Sequence, residues 1–260
     1  MSELDQLIER PSFLTPSDPT ITTGMELMAN YFSPSFVKVI QPISKPPFKP
    51  PFKEGDAIAV PNMERIVEMG DAFHFVPVFF YPEFCVHNPI QVQGLNFIRD
   101  RTLDINSDIA KQCKSKDPND REFDCPENPK FNCLFVEHLN FVIVLLDHNS
   151  ALGDTPLVVS FFKGEWRRGM NFISLLRARK TQHICGCRFQ CSVSLRVGNQ
   201  GSWFGLDILN PEDDQPWITD QKQFGLLSEM HGQFRKNYEA SELRVDYGAQ
   251  PDTFNSENKF

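Results

Sequence analysis

Residues 155–210 read TPLVVSFFKGEWRRGMNFISLLRARKTQHICGCRFQCSVSLRVGNQGSWFGLDILN, and the hydrophobic period changes repeatedly within them. Thr155–Phe162 is a short run of β-branched and aromatic residues with Pro only near its start, the pattern of a buried strand. From Gly164 the apolar positions Trp166, Met170, Ile173 and Leu176 fall four, three and three apart, which predicts a helix with that face inward. From Thr181 the sequence alternates. Cys185, Cys187, Phe189, Cys191, Val193, Leu195 and Val197 take one side, and Arg188, Gln190, Ser192, Ser194 and Arg196 take the other. That is a strand with one buried and one wetted face. Gly198-Asn199-Gln200-Gly201 is a hairpin signal, and SWFGLDIL reads as the return strand.

Working outward, Ala72–Cys85 (AFHFVPVFFYPEFC) is strongly strand-like, and Pro77 and Pro82 place it at an edge or at bulges. Leu134–Leu146 is a second apolar strand. Residues 87–133 between them form a long polar excursion bearing cysteines, and a connection of that length is functional or separately stabilised. Counted from Ala72, the order is strand, long loop, strand, turn, strand, helix, strand, turn, strand. This predicts a mainly β fold with flanking helices: an OB-fold-like five-stranded barrel with its helix between strands 3 and 4.

The organisation that follows is an N-terminal arm (1–55), the barrel (56–210), a C-terminal helix (211–240) and a disordered tail (241–260). In the arm, Glu3–Glu9 and Met25–Phe32 read as short helices and Phe36–Gln41 as an added strand. KPPFKPPFK at 45–53 excludes helix and central strand and reads as an extended loop. Phe48 and Phe52 in it either stack on bases beside Lys45, Lys49 and Lys53 or pack on the domain as a rigid linker, and the linker is favoured. In the C-terminal segment Phe224, Leu227, Met230 and Phe234 line one helical face.

The chain of 260 residues carries a net charge of −8, yet Lys163–Arg196 holds eight basic residues and a single acid, Glu165. A basic module in an acidic chain is an electrostatic footprint for a polyanion; arginines that only solvate a helix and a sheet face give the same pattern. No apolar run approaches the roughly 18 residues a membrane-spanning helix needs. The N-terminus has no apolar h-region, so no secretory signal is expected and the expected location is the cytoplasm. Seven cysteines suit reduced thiols or metal ligation better than a disulfide framework. Cys113, Cys125 and Cys133 sit among polar loop residues. With Cys85 at the same end of the hairpin, four thiolates give a structural zinc site, in which His87 or His138 can replace Cys85. Cys185, Cys187 and Cys191 read as small core residues. The sequence contains no G-x-S-x-G, P-loop, G-x-G-x-x-G or H-E-x-x-H motif, so no enzyme is expected.

The succession FVKVIQPISK, VPVFF, a cysteine-bearing loop, NFVIVLLD and PLVVSFFKGEWRRGMNFISLLR resembles phage and prophage single-stranded DNA-binding proteins of the OB type, over roughly residues 36–209. The resemblance implies a protein that coats replication and recombination intermediates in the host cytoplasm, without catalysis and with little sequence preference. It also implies contact with replication proteins through the C-terminal tail, and some such proteins hold a metal in the barrel loop. The tail here departs from the acidic pattern: TFNSENKF keeps Phe260 but has only Glu257, with Lys259. On this reading Lys163, Arg167, Arg168, Arg188 and Arg196 meet phosphates. Phe162 and Trp203, on the strand face opposite the core, stack under bases, and Trp166 is a weaker candidate. The rival readings are a virion or scaffold component and a metal-dependent nuclease.

Overall fold

A computed structural model describes residues 34–44, 46–92, 94–146, 155–181, 183–198, 201–213, 215–243 and 245. The chain divides into residues 1–33 and 34–260. The helices expected at Glu3–Glu9 and Met25–Phe32 lie outside the described residues. In chain order the strands are β1 (Ser35–Val39), β2 (Ala57–Val60), β3 (Glu64–Val67), β4 (Ala72–His87), β5 (Ile98–Thr102), β6 (Glu122–Asp124), β7 (Asn132–Leu145), β8 (Leu157–Phe161), β9 (Phe189–Gly198) and β10 (Gly201–Leu209). The α-helices are α1 (Asp108–Cys113), α2 (Trp166–Ala178) and α3 (Gln221–Glu239).

The β4–β7 hairpin is the centre of the sheet, in antiparallel register from Phe75↔Leu145 to His87↔Leu134. Its two faces are both apolar over much of its length because both are covered. On the inner face Phe75, Phe141, Phe172 and Phe189 form a cluster of rings at centroid separations of 4.6–6.0 Å, with α2 supplying Phe172. On the outer face Val76, Val78, Phe79, Tyr81, Val142 and Val144 pack against Leu227 and Phe234 of α3. The prolines behave as the sequence predicts. The register shifts between Pro77 and Phe79, and Pro82 lies where β4 pairs with β7 but with neither β9 nor β5. The bulge leaves Val78 out of register, and its carbonyl accepts a hydrogen bond from His231 Nδ1 of α3 at 2.7 Å.

The helices follow their local signals with one rotation. Asp220 caps α3 by accepting from the backbone N–H of Lys222 and Gln223. The buried face of α2 is Gly169, Phe172 and Leu176, whereas Trp166, expected inward, is substantially exposed. The cause is Gly169: a Cβ there would lie 2.8 Å from Phe161 Cβ and 2.9 Å from Leu139 Cδ1. The missing side chain lets α2 settle on β7 and β8 along that line, which turns Phe172 into the core. Residues 184–186 form a short 3₁₀ turn, so the expected long strand begins only at Phe189. Cys185, Cys187 and Cys191 are buried as small core residues.

β4, β7, β8, β9 and β10 occur in the expected order with α2 between β8 and β9. They do not close into the expected five-stranded barrel by backbone pairing. The pairing order is β10-β9-β4-β7-β8-β1-β2-β3, with β5 added to β4 and β6 to β7. The free edge of β8 is taken by β1, which pairs with it in parallel through Ser35↔Leu157 and Phe36↔Val158. Residues 35–53, expected in the arm, therefore join the body. Phe48 and Phe52 of the Pro-rich loop are buried with Ile40 and Ile58, as the linker reading requires. Leu243 and Val245, at the start of the expected disordered tail, are buried too.

The edge strand β10 meets a side chain instead of a strand. Gln41, just past β1, donates from Nε2 to the Phe204 carbonyl (2.8 Å) and accepts from the Phe204 N–H at Oε1 (2.9 Å). The amide thus imitates one rung of a ladder across the gap. Replacing Gln41 by Ala leaves both Phe204 backbone groups unpaired, and the expected loss of stability is about 1–3 kcal/mol. Amide exchange read at Phe204 checks the assignment: it should accelerate in Gln41→Ala, and an unchanged rate would mean that Gln41 clamps nothing.

Candidate functional site

Antiparallel pairing sets opposite residues on one face, and on the outer face of β4, β7 and β8 that rule assembles a row of buried polar groups. Glu83 is opposite His138, Tyr81 opposite Asn140, and Asn140 opposite Ser160. Ser160 Oγ donates to Asn140 Oδ1, Asn140 Nδ2 donates to Glu83 Oε2 at 3.3 Å, and Arg101 of β5 pairs with Glu83 at 3.3 Å. Arg101 also donates to the Val245 carbonyl at 2.7 Å, which ties down the end of the described chain. Glu83, His138 and Asn140 are all essentially inaccessible. Internal hydrogen bonds compensate for the lost hydration of Ser160, Asn140 and Glu83, whereas the Tyr81 hydroxyl is buried without a hydrogen-bond partner.

At one end of the row the polar groups become a cysteine and histidine cluster. One ligand atom from each of Cys85, His87 and His138 lies within 4.8 Å of the other two, and all three residues are buried. They are close enough to hold a metal ion. His87 Nε2 and His138 Nε2 are 2.7 Å apart, so one ring donates to the other. His87 Nδ1 is buried and has no hydrogen-bond partner. Burial, and then the charges of Lys163 and Arg101, push the His138 pKa down to about 3. Burial, reinforced by His138 and Lys163, also pushes His87 well below its ordinary value. Both rings are therefore neutral near neutral pH, the form that ligates metals.

An aromatic layer covers this cluster. Phe162 lies parallel to His138, with centroids 4.3 Å apart and planes 6° from parallel. Phe97 packs on His87 at 4.3 Å and borders Phe162 at 6.0 Å. The Phe97 loop is pinned by Asn88, whose N–H donates to the Phe97 carbonyl and whose Nδ2 donates to the Asn96 carbonyl. Lys163 Nζ sits 5.8 Å from the Phe97 ring centroid. Arg167 is exposed on the first turn of α2. Trp166 is tethered through Nε1 to Glu137 at 3.0 Å. Trp203 lies in contact range of Gly164 and donates from Nε1 to Glu165 at 2.9 Å.

The other expected phosphate ligands are held by carboxylates. Arg196 makes a two-pronged contact with Asp207, at 2.8 and 2.9 Å, and lies 3.7 Å from Glu165. Arg168 pairs with Asp207 at 2.7 Å. Arg188 pairs with Asp213 at 3.0 Å and donates to the Gln215 carbonyl. The strict alternation misled here. Past Val193 the sides exchange exposure: Arg196 is tucked in, while Leu195 and Val197 are exposed, Val197 at 82%. Of the acids responsible, Glu165 is the single acid of the basic segment itself, three residues before Arg168, whereas Asp207 and Asp213 come from beyond it and their pairing has no sequence signal.

The expected tetrathiolate set is not brought together either. Among the described residues, Cys85 alone of the four thiols belongs to the converging group. Phe84 packs with Cys113, and Val86 packs with Cys125 and Cys133. Alternation along β4 therefore sends Cys85 and His87 to the opposite face from the three loop thiols. Cys113 Sγ contacts the Cys85 carbonyl at 3.9 Å, Cys125 Sγ donates to Glu127 at 3.2 Å and Cys133 Sγ to Asn88 at 3.7 Å. The two histidines that the sequence offers only as substitutes prove to be the partners, and Phe97 was not singled out at all. Asp147, His148 and Asp154, the acids and histidine near a strand end, lie outside the described residues. A comparison with protein-family models, curated proteins and solved structures finds no match.

The Asp207 contacts give a pH dependence. Burial alone would raise its pKa, but hydrogen bonds from Arg196 and Ser194 and the charges of Arg196 and Arg168 outweigh it and hold the carboxyl below its ordinary value. A depressed folded pKa contributes stability that is complete above the unfolded value of about 4 and is lost as pH falls through the folded value. Thermal denaturation followed from pH 6 to pH 3 should therefore show a shallower acid loss in Asp207→Asn than in the wild type. Parallel curves would mean that the Asp207 pairs contribute nothing.

Proposed function

We propose that the protein binds single-stranded nucleic acid, with little sequence preference and without catalysis, on the outer face of β7 and β8. The observation that carries this reading is the half-buried ring pair Phe97 and Phe162 with Lys163 beside Phe97; exposed Arg167 follows at the start of α2, and the Trp203 indole lies in contact range of Gly164. Stacked rings beside cations are how unpaired strands are held without base-specific contacts. Two further features support it. The β4, β7, β8, α2, β9, β10 order is that of an OB fold, with β1 and Gln41 standing where the barrel seam would be. In that fold the second and third strands and the loop joining the first two are the oligonucleotide-binding surface. Phe97 is on that loop, and Phe162 follows the third of those strands.

The reading keeps Phe162, Trp203, Lys163 and Arg167 as binding residues and assigns Arg168, Arg188 and Arg196 to internal ion pairs. Its cofactor is a zinc-class ion beneath the ring pair. Single-stranded DNA is the partner the resemblance suggests, and the same surface chemistry suits RNA.

Titration of labelled oligo-dT by fluorescence anisotropy at several salt concentrations tests the proposal. Stacking contributes about 1–3 kcal/mol per base, so Phe162→Ala should weaken binding by about tenfold or more. The double variant Lys163→Ala, Arg167→Ala should make the salt slope shallower by about 1.4, at roughly 0.7 per phosphate contact. Arg188→Ala should leave the slope unchanged. Absence of binding at low salt, or equal affinity of wild type and Phe162→Ala, would overturn the assignment of this face.

A further inference from the structure

We infer that Cys85, His87 and His138 form a site for one divalent ion of the zinc class, whose bound state fixes the His138 ring on which Phe162 stacks. The donor set comes first. A buried thiol between two imidazoles is a sulfur and nitrogen set, which suits zinc and excludes magnesium and calcium as preferred occupants. Distances come second. A tetrahedral zinc-class ion holds nitrogen and sulfur donors about 3.3–3.5 Å apart. The three donors here already lie within 4.8 Å of one another, so small side-chain rotations suffice.

The alternative is a pair of core histidines that merely hydrogen-bond. It accounts for the 2.7 Å contact but leaves His87 Nδ1 buried and unpartnered, which is costly for a group of purely structural purpose. It also leaves unexplained why a thiol and two imidazoles converge in one buried row beside the Glu83 carboxylate. When the ion enters, the Cys85 thiol loses its proton to solvent and the thiolate and two neutral rings become the ligands. Three protein donors leave a further position for water. The ring contact provides the link to binding: Phe162 is 4.3 Å from His138 and parallel to it, and Phe97 rests on His87. Fixing the two imidazoles therefore fixes the floor of the ring pair. That coupling rests on the nucleic-acid reading above, whereas the metal site does not.

The full-length chain, stripped with a chelator and titrated with Co2+, separates the two. One equivalent should bind with a sulfur-to-metal charge-transfer absorption, and Zn2+ should displace it and raise the melting temperature. The absorption should vanish in Cys85→Ser and survive in Cys113→Ser, Cys125→Ser and Cys133→Ser. The wild-type titration stands alone if the buried variant fails to fold. No stoichiometric binding, or loss of the absorption in any loop-cysteine variant with Cys85 intact, would overturn the site. Oligo-dT affinity should fall about tenfold or more on metal removal, the scale of one stacking contact. Equal affinity would overturn the coupling with the site intact. Failure of both forms to bind oligo-dT, with Co2+ bound stoichiometrically, would overturn the nucleic-acid reading and the coupling but not the site.

Discussion

The constraint on which the structure depends is the alternation of side chains along one long antiparallel hairpin. β4 and β7 are covered on both sides, so each residue is committed to one of two interiors. Odd positions of β7 from Leu139 to Leu145 face the ring cluster under α2, and Val142 and Val144 face α3. The bulge at Pro77 resets the parity of β4 so that Tyr81, Glu83, Cys85 and His87 share the outer face with Asn140 and His138. Without that extra residue, the strand beyond it would present its other side outward. The polar row, the cysteine and histidine cluster and the ring pair above it all follow from this register.

The outer face is divided between stability and chemistry. α3 and the segment ending at Val245 cover one end with apolar side chains. The other end carries buried polar groups, which are expensive unless fully paired. Ser160, Asn140, Glu83 and Arg101 meet that condition through a continuous chain of hydrogen bonds. His87 does not, because one of its nitrogens is buried without a partner. The Tyr81 hydroxyl in the same row is unpartnered too, so what singles out the His87 nitrogen is its place beside the converging donors Cys85 and His138.

Much of this fold was legible in the sequence. Strand order, the position of α2, the α3 face and the bulge at Pro77 followed from period and from turn residues, which are local properties. The burial of Phe48 and Phe52 was legible for the same reason, because a Pro-rich repeat has few other conformations. What was not legible depends on long-range partners. The parallel docking of β1 on β8 and the Gln41 clamp join residues far apart in sequence. The carboxylates of Glu165 and Asp207 draw in Arg168 and Arg196, which composition alone presents as a free basic surface. The cysteine count drew attention to the loop thiols, and the strand pleat then separated them from Cys85. His138 stands mid-strand in an apolar run, where a lone histidine carries little signal.

The proposed binding face is the outer end of β7 and β8, which the basic charge of the central segment suggests only in outline. Its test is positional. Photocrosslinking the protein to an oligonucleotide carrying halogenated pyrimidines, followed by mass spectrometry of the adducts, reports which side chains touch bases. Adducts should concentrate on Phe97, Phe162 and Trp203. Adducts confined to the exposed tip at Leu195 and Val197 or to α3, or no adducts under conditions where the oligonucleotide is bound, would contradict the central claim.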